Sequence, residues 1–221
     1  MSEKSQELSI KTSENDQLYN NGRYHRPPEW LLQARAKAYL KQILRKVQIG
    51  SHQRVLEVGC DLGQLTNLLR KYSETVIGVD VNPTYINKLN QKYFMQMDAQ
   101  NLDFPDESFD FVISTHTIEH IPDISKALYE FERVLKANGY LILIYPWEPI
   151  RGYTVLPEAL LHYKSIKVCR EIHLHNFTPK KINRLIDRST LMQLSWQIFF
   201  VPHPNFISVY QRIDIDNSIF A

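Results

Sequence analysis

At 221 residues, 43% hydrophobic and 23% charged, the chain is long enough to bury a core and too apolar for wholesale disorder. Its two cysteines, Cys60 and Cys169, exclude a disulfide framework and a four-cysteine zinc site. A net charge of +2 is too small for a nucleic-acid scaffold.

In chain order, residues 1–22 are polar and mixed in charge and read as a mobile tail. They lack the apolar core of a signal peptide. The longest apolar run, near Leu141 to Tyr145, falls far short of the roughly 18 residues of a membrane helix, so the expectation is a cytoplasmic protein. Residues 23–221 read as a single domain. Pro27-Pro28 opens a helix over about 28–48, with Trp30, Leu31, Ala34, Ala38, Ile43 and Val47 at helical spacing.

From Arg54 short apolar segments alternate with amphipathic ones. Strands are predicted at Val55–Val58, Thr75–Val81, Tyr93–Met97, Phe109–Ser114 and Tyr140–Tyr145. Helices are predicted at Leu62–Tyr72, Pro83–Lys92 (capped by Asn82) and about Asp123–Leu135. Asn138-Gly139 reads as a stop and turn before the fifth strand. The rhythm then breaks. Residues 146–176 read as a helical insertion, Thr178-Pro179 starts a helix to about Arg188, and two strands follow around a Pro202-His203-Pro204 turn. The expected fold is α/β: a Rossmann-like, doubly wound sheet of seven strands, mostly parallel, with a C-terminal antiparallel hairpin and helices on both faces.

Only seven glycines occur, and Gly59, Gly63 and Gly78 lie within twenty positions of one another. In an open α/β sheet the ligand sits at the carboxyl ends of the strands, and Val55–Gly63 reads as a strand running into such a turn. A dinucleotide fold wants glycine at 59, 61 and 64, but here Asp61 and Gln64 stand there. A carboxylate at Asp61 repels a pyrophosphate, which disfavours an NAD enzyme, and is no obstacle to a ligand that carries a cation. Asp80 ends the second strand where a ribose would lie, and Asp98-Ala99 follows the third, where an exocyclic amine can be accepted. Together they describe an adenosine pocket without phosphates.

These residues resemble the class I S-adenosylmethionine-dependent methyltransferases, in the branch acting on small molecules and lipid precursors, over about Arg54 to Tyr145. The resemblance implies S-adenosyl-L-methionine as cofactor. Glu57 and the backbone at Gly59 and Cys60, with Gly63 in the turn, would face its methionine part; Asp80 would bind the ribose and Val81 pack on the adenine. Asp98 and the Ala99 amide would take the adenine edge, and the Thr115 carbonyl would lie near the amino group. Phe104–Asp110 and Ile118–Asp123 resemble the family's segments before and after the fourth strand. The family usually has glycine where this chain has Asp61.

Methyl transfer to oxygen or nitrogen leaves a proton to remove, and His120, after the fourth strand, is the candidate base. His116 lies in the same loop and could hold cofactor or substrate. His173-Leu174-His175 places two imidazoles together, but no third ligand is evident, and no metal is expected. Tyr24, His25 and Arg26 could form a lid or an ordered strap; Trp147, Tyr153 and Tyr163 could wall a pocket or pack the insertion. Residues 161–190 carry seven basic side chains against two acidic ones, a solvated face or a patch for an anionic substrate or membrane surface. The sequence Ser114–Thr117 lacks the Pro-Pro-aromatic motif of base-amino methylation, and neither cysteine follows a proline, as ring-carbon methylation requires. The expected partner is therefore a small-molecule methyl acceptor rather than a nucleic acid. The alternative is a methyltransferase-like protein that binds the cofactor without turnover.

Overall fold

The computed structural model describes residues 27–147, 173–187, 189–201 and 203–214. The expected tail, Tyr24, His25, Arg26, and most of the 146–176 insertion with Tyr153 and Tyr163, lie outside the described residues.

Helix α1 (Glu29–Leu44) precedes strand β1 (Arg54–Val58), helix α2 (Gln64–Leu69) and strand β2 (Thr75–Asp80). Helix α3 (Pro83–Ile86), strand β3 (Phe94–Gln96) and strand β4 (Phe109–Thr115) follow. After a 3-10 turn at Ile118–His120 come helix α4 (Ile124–Val134), strand β5 (Leu135–Pro146), helix α5 (Pro179–Leu185), strand β6 (Leu191–Phe200) and strand β7 (Pro204–Arg212). The seven strands form one sheet in the order β3-β2-β1-β4-β5-β7-β6. Strands β1 to β5 pair in parallel, and β7 runs antiparallel to both of its neighbours, β5 and β6. The chain order reverses at β1, between β2 and β4. That is where an α/β sheet opens a crevice at its carboxyl edge.

Parallel strands must be covered on both faces, and β5 shows why its sequence is almost continuously apolar. Leu141, Leu143 and Tyr145 pack on one face with Phe131, Val134 and Ile182 from α4 and α5. Ile142 and Ile144 pack on the other with Tyr39, Ile43, Leu65 and Leu69 from α1 and α2. The Tyr145 hydroxyl is satisfied inside the core by Ser208 Oγ at 2.9 Å. Trp147 leans on Phe206, ring centroids 5.8 Å apart, and belongs to this packing.

Several element boundaries differ from the sequence expectation. Helix α3 stops at Ile86 instead of Lys92, because Asn90 accepts the Lys92 amide through its side chain and the Tyr93 amide through its carbonyl. Short amide side chains compete in this way with helical hydrogen bonding. Helix α2 starts only at Gln64, since Gly63 ahead of it has φ +73°. The stop expected at Asn138-Gly139 is instead an irregularity inside β5. Asn138 takes φ +63°, and the register against β4 jumps from Leu135–Phe109 to Tyr140–Phe111. No helix among the described residues is long and apolar enough to cross a membrane.

Phe131 is fully buried between α4 and the sheet. Phe131→Ala is expected to lower unfolding stability by about 3–5 kcal/mol, read from a denaturant titration.

Candidate active site

Strand β1 ends against its two neighbours, with Val58 opposite Val79 on one side and Ser114 on the other. The chain then turns sharply. Gly59 has φ +79°, and a Cβ there would lie 1.9 Å from Thr117 Oγ1, so only glycine fits. Thr117 Oγ1 in turn reaches the carbonyls of Val58 (3.3 Å) and Thr115 (3.1 Å), stitching β1 to the segment after β4.

The amides of this turn are used internally. Gly59 and Cys60 both donate to the Val79 carbonyl at 2.8 and 3.0 Å, and Gly63 donates to the Cys60 carbonyl at 2.8 Å. The Asp61 amide donates to Asp80 Oδ2 at 2.9 Å. A turn that binds pyrophosphate leaves such amides pointing at the phosphates; here those of Gly59, Cys60 and Asp61 are taken by β2. Asp61 itself adopts φ +50°. Aspartate tolerates this left-handed region better than most residues, so a position where the resembled family usually has glycine is conformationally filled.

Asp80 is clamped, with Oδ2 taking the Asp61 amide and Oδ1 the Asn82 amide at 2.9 Å. Burial raises its pKa, and the backbone amides of Asn82, Asp61 and Val81 oppose that rise. Beside it Val81 is 63% exposed, an apolar side chain left at the rim. Across the rim, exposed Asp98 is held by the Gln100 amide (2.8 Å) and side chain (3.1 Å), with Ala99 buried next to it. Below the turn Glu57 is 2% exposed and accepts the Thr66 hydroxyl. Burial pushes its carboxyl up to about 8; the Thr66 bond opposes this, and the charges of Asp80 and Asp61 add to it. Glu57, Gly59, Cys60, Asp80, Val81, Asp98, Ala99 and Thr115 thus all sit at the carboxyl ends of β1 to β4, with Gly63 behind the turn.

A second group lies past β4. His116 takes φ +53°, its Nε2 lies 3.0 Å from the Tyr39 hydroxyl, and the two rings stack at 5.5 Å. Its Nδ1 faces Glu119 Oε1 at 3.4 Å. A carboxylate only accepts, so the proton belongs on Nδ1. Glu119 is fully buried, and neither of its oxygens has a fully aligned hydrogen-bond partner; its contact with the His116 ring is at 3.4 Å. Burial would raise its pKa; contact with His116 and the positive potential of His116, His120 and His173 outweigh this and hold the carboxyl well below the usual range.

His173 and His175 diverge. The Leu174 and His175 amides both donate to the Glu119 carbonyl, at 2.9 and 3.2 Å. The His175 ring donates from Nε2 to the Ile121 carbonyl at 2.9 Å, while His173 turns in to within 4.0 Å of Glu119 Oε1. His173 meets His120 instead, ring centroids 4.8 Å apart. Sequence reading missed Tyr39 and Glu119. Tyr39 sits in an unremarkable amphipathic helix, and Glu119 passed as one letter of the Ile118–Asp123 motif.

Known proteins resemble the chain in sequence and in fold. Residues 56–143 match the family described as methyltransferase domain. Over those residues the chain is similar to methyltransferase domains. It is 38% identical over 157 residues to phthiotriol/phenolphthiotriol dimycocerosates methyltransferase 1 of Mycobacterium ulcerans, covering 63% of this chain and 56% of that protein. It is 36% identical over 98 residues to fatty-acid O-methyltransferase of Mycolicibacterium smegmatis, covering 41% and 36%. The crystal structure of the YcgJ protein from Bacillus subtilis superposes with a TM-score of 0.63 at 17% identity, covering 80% of this chain and 99% of that one, a likeness of fold. The sequence matches span 36% to 60% of these and three further curated relatives.

Two outcomes are expected of the turn. Gly59→Ala should destabilise the protein by at least about 2 kcal/mol in a denaturant titration, combining left-handed strain with the Thr117 clash. Glu57 holds its proton to about 8 when folded and releases it near 4.5 when unfolded. The native state thus binds more protons between those values, and stability falls as pH rises through that window. Glu57→Gln should remove that part of the slope in melting temperatures taken from pH 5 to 9.

Proposed function

We propose that the chain binds S-adenosyl-L-methionine at the carboxyl edge of β1 to β4 and transfers its methyl group to a hydroxyl or amine of a small molecule. The observation that carries this reading is the Asp80 clamp beneath a turn whose Gly59, Cys60 and Asp61 amides are taken by β2. Each Asp80 oxygen keeps a lone pair for a ribose hydroxyl, exposed Val81 offers the adenine an apolar face, and Asp98 with Ala99 lies where the adenine edge falls. The acidic floor of Glu57, Asp61 and Asp80 suits a ligand with an ammonium and a sulfonium and repels a dinucleotide.

Transfer is an in-line displacement. The acceptor heteroatom bonds to the methyl carbon, the carbon–sulfur bond breaks with its electrons going to sulfur, and the acceptor loses a proton. Positioning supplies much of the rate. His120 lies past β4 on the proposed acceptor side, where it governs that proton. The fatty-acid O-methyltransferase name among the relatives supports a lipid-like acceptor, and the basic side chains of α5, Lys180, Lys181 and Arg184, support one that carries negative charge or sits at a membrane surface.

S-adenosylhomocysteine should bind the purified chain with a micromolar dissociation constant, Asp80→Ala should abolish binding, and NADH should give no heat. Heat from NADH alone would overturn the reading. Incubation with labelled cofactor and a cell extract should yield a methylated product that His120→Ala reduces by about 100-fold. Binding without any product would favour the turnover-free alternative.

A further inference from the structure

Glu119, His120 and His173 bring one carboxylate oxygen and two imidazole nitrogens within 4.8 Å of one another. Three features of the fold converge on them. The 3-10 turn at Ile118–His120 puts Glu119 and His120 side by side. The amides of Leu174 and His175 clamp the incoming strand to the Glu119 carbonyl. The His175 ring, tied to the Ile121 carbonyl, is kept away from the cluster and leaves the inward position to His173. Glu119 is 0% exposed and His173 is 9% exposed.

The carboxylate supplies the second observation. Both Glu119 oxygens are buried without a fully aligned hydrogen-bond partner; the His116 and His173 rings, at 3.4 and 4.0 Å from Oε1, compensate the anion in the free protein, and a bound cation would do so more directly. Glu119 lies in the 3-10 turn that follows β4, next to imidazoles, whose neutral nitrogens are ligands of choice for a first-row divalent ion.

We propose that Glu119, His120 and His173 form a binding site for a divalent cation of the zinc class. One oxygen and two nitrogens are the donor set of catalytic rather than structural zinc sites, which keep a coordination position open. Bonds of about 2.0–2.2 Å place tetrahedral ligand atoms roughly 3.4 Å apart, so an ion draws the three side chains slightly inward from where they stand. His116 Nδ1, 3.4 Å from Glu119 Oε1, then serves to orient the carboxylate, as partners behind metal ligands do.

The open position faces the acceptor, a part of the assignment that rests on the methyltransferase reading. There an acceptor hydroxyl would bind the ion and lose its proton to solvent. Its oxygen would attack the sulfonium methyl, and the carbon–sulfur electrons would return to sulfur. His120 is then a ligand, and the ion makes the hydroxyl acidic.

The test is calorimetric titration of the full, chelator-treated chain with zinc chloride, with magnesium chloride in parallel. S-adenosylhomocysteine is titrated separately on the same preparation. Zinc should bind one per chain and magnesium far more weakly. Glu119→Gln and His173→Ala should each weaken zinc at least tenfold, while His52→Ala, an exposed histidine in the turn before β1, should leave it unchanged. Cobalt chloride should give the intense visible bands of a tetrahedral ion, lost in His173→Ala. If Glu119→Gln does not fold, as judged by circular dichroism, His173→Ala decides. Absent zinc binding, or zinc binding undiminished in the folded variants, overturns the site. Zinc binding without S-adenosylhomocysteine binding would leave the site standing and overturn the cofactor reading; the reverse would overturn the site alone.

Discussion

A carboxylate with almost no access to water stands directly beneath the turn that ends β1. Glu57 sits there because β1 is a central strand covered on both faces, and its hydroxyl donor among the described residues is Thr66 of α2. Asp80 and Asp61 raise the density of negative charge above it. Like charges in a low-dielectric pocket are costly unless one keeps a proton or a cation joins them. The clamp on Asp80 and the proton on Glu57 are the free protein's solution. A ligand with its own positive charge is the other.

The same constraint explains how the turn is built. The Asp61 amide donates to Asp80, and Asp61 itself takes a left-handed conformation that turns the chain toward Gly63. Gly59 can pass Thr117 only without a side chain, and Thr117 holds that place through the carbonyls of Val58 and Thr115. Each strand end is thereby fixed to the next, and the spacing of Glu57, Asp80, Asp98 and Thr115 follows from the parallel register of β1 to β4. The second acidic centre, Glu119, is built differently. It is held by a short turn after β4 and by a strap that returns from far along the chain.

That difference decides what could be read from sequence. The parallel strands were legible because burial on both faces forces apolar runs, and the turn after β1 because glycine is scarce and clustered. The terminal hairpin was legible from two adjacent apolar segments, although its closure by Asn205, whose side chain donates to the carbonyls of Val201 and His203, was not. Helix α3 was overextended because Asn87 and Asn90 look helical by spacing while their side chains favour turns. The third partner of the His173 pair went unseen for a topological reason. Glu119 and His173 are far apart in the chain, and no periodicity links a 3-10 turn to a distant strap. The Tyr39–His116 contact joins the first described helix to the segment past β4 and is equally silent in sequence.

The central claim is that the acidic floor awaits a cation, and proton release on ligand binding tests it most directly. With Glu57 pushed up to about 8, the free protein carries its proton at neutral pH and gives it up when a ligand ammonium arrives. Calorimetry of S-adenosylhomocysteine binding at pH 7, in two buffers of different ionisation enthalpy, measures this. The account predicts a release approaching about one proton per ligand that disappears in Glu57→Gln. Binding heats that do not depend on the buffer, or a release unchanged in Glu57→Gln, would contradict it.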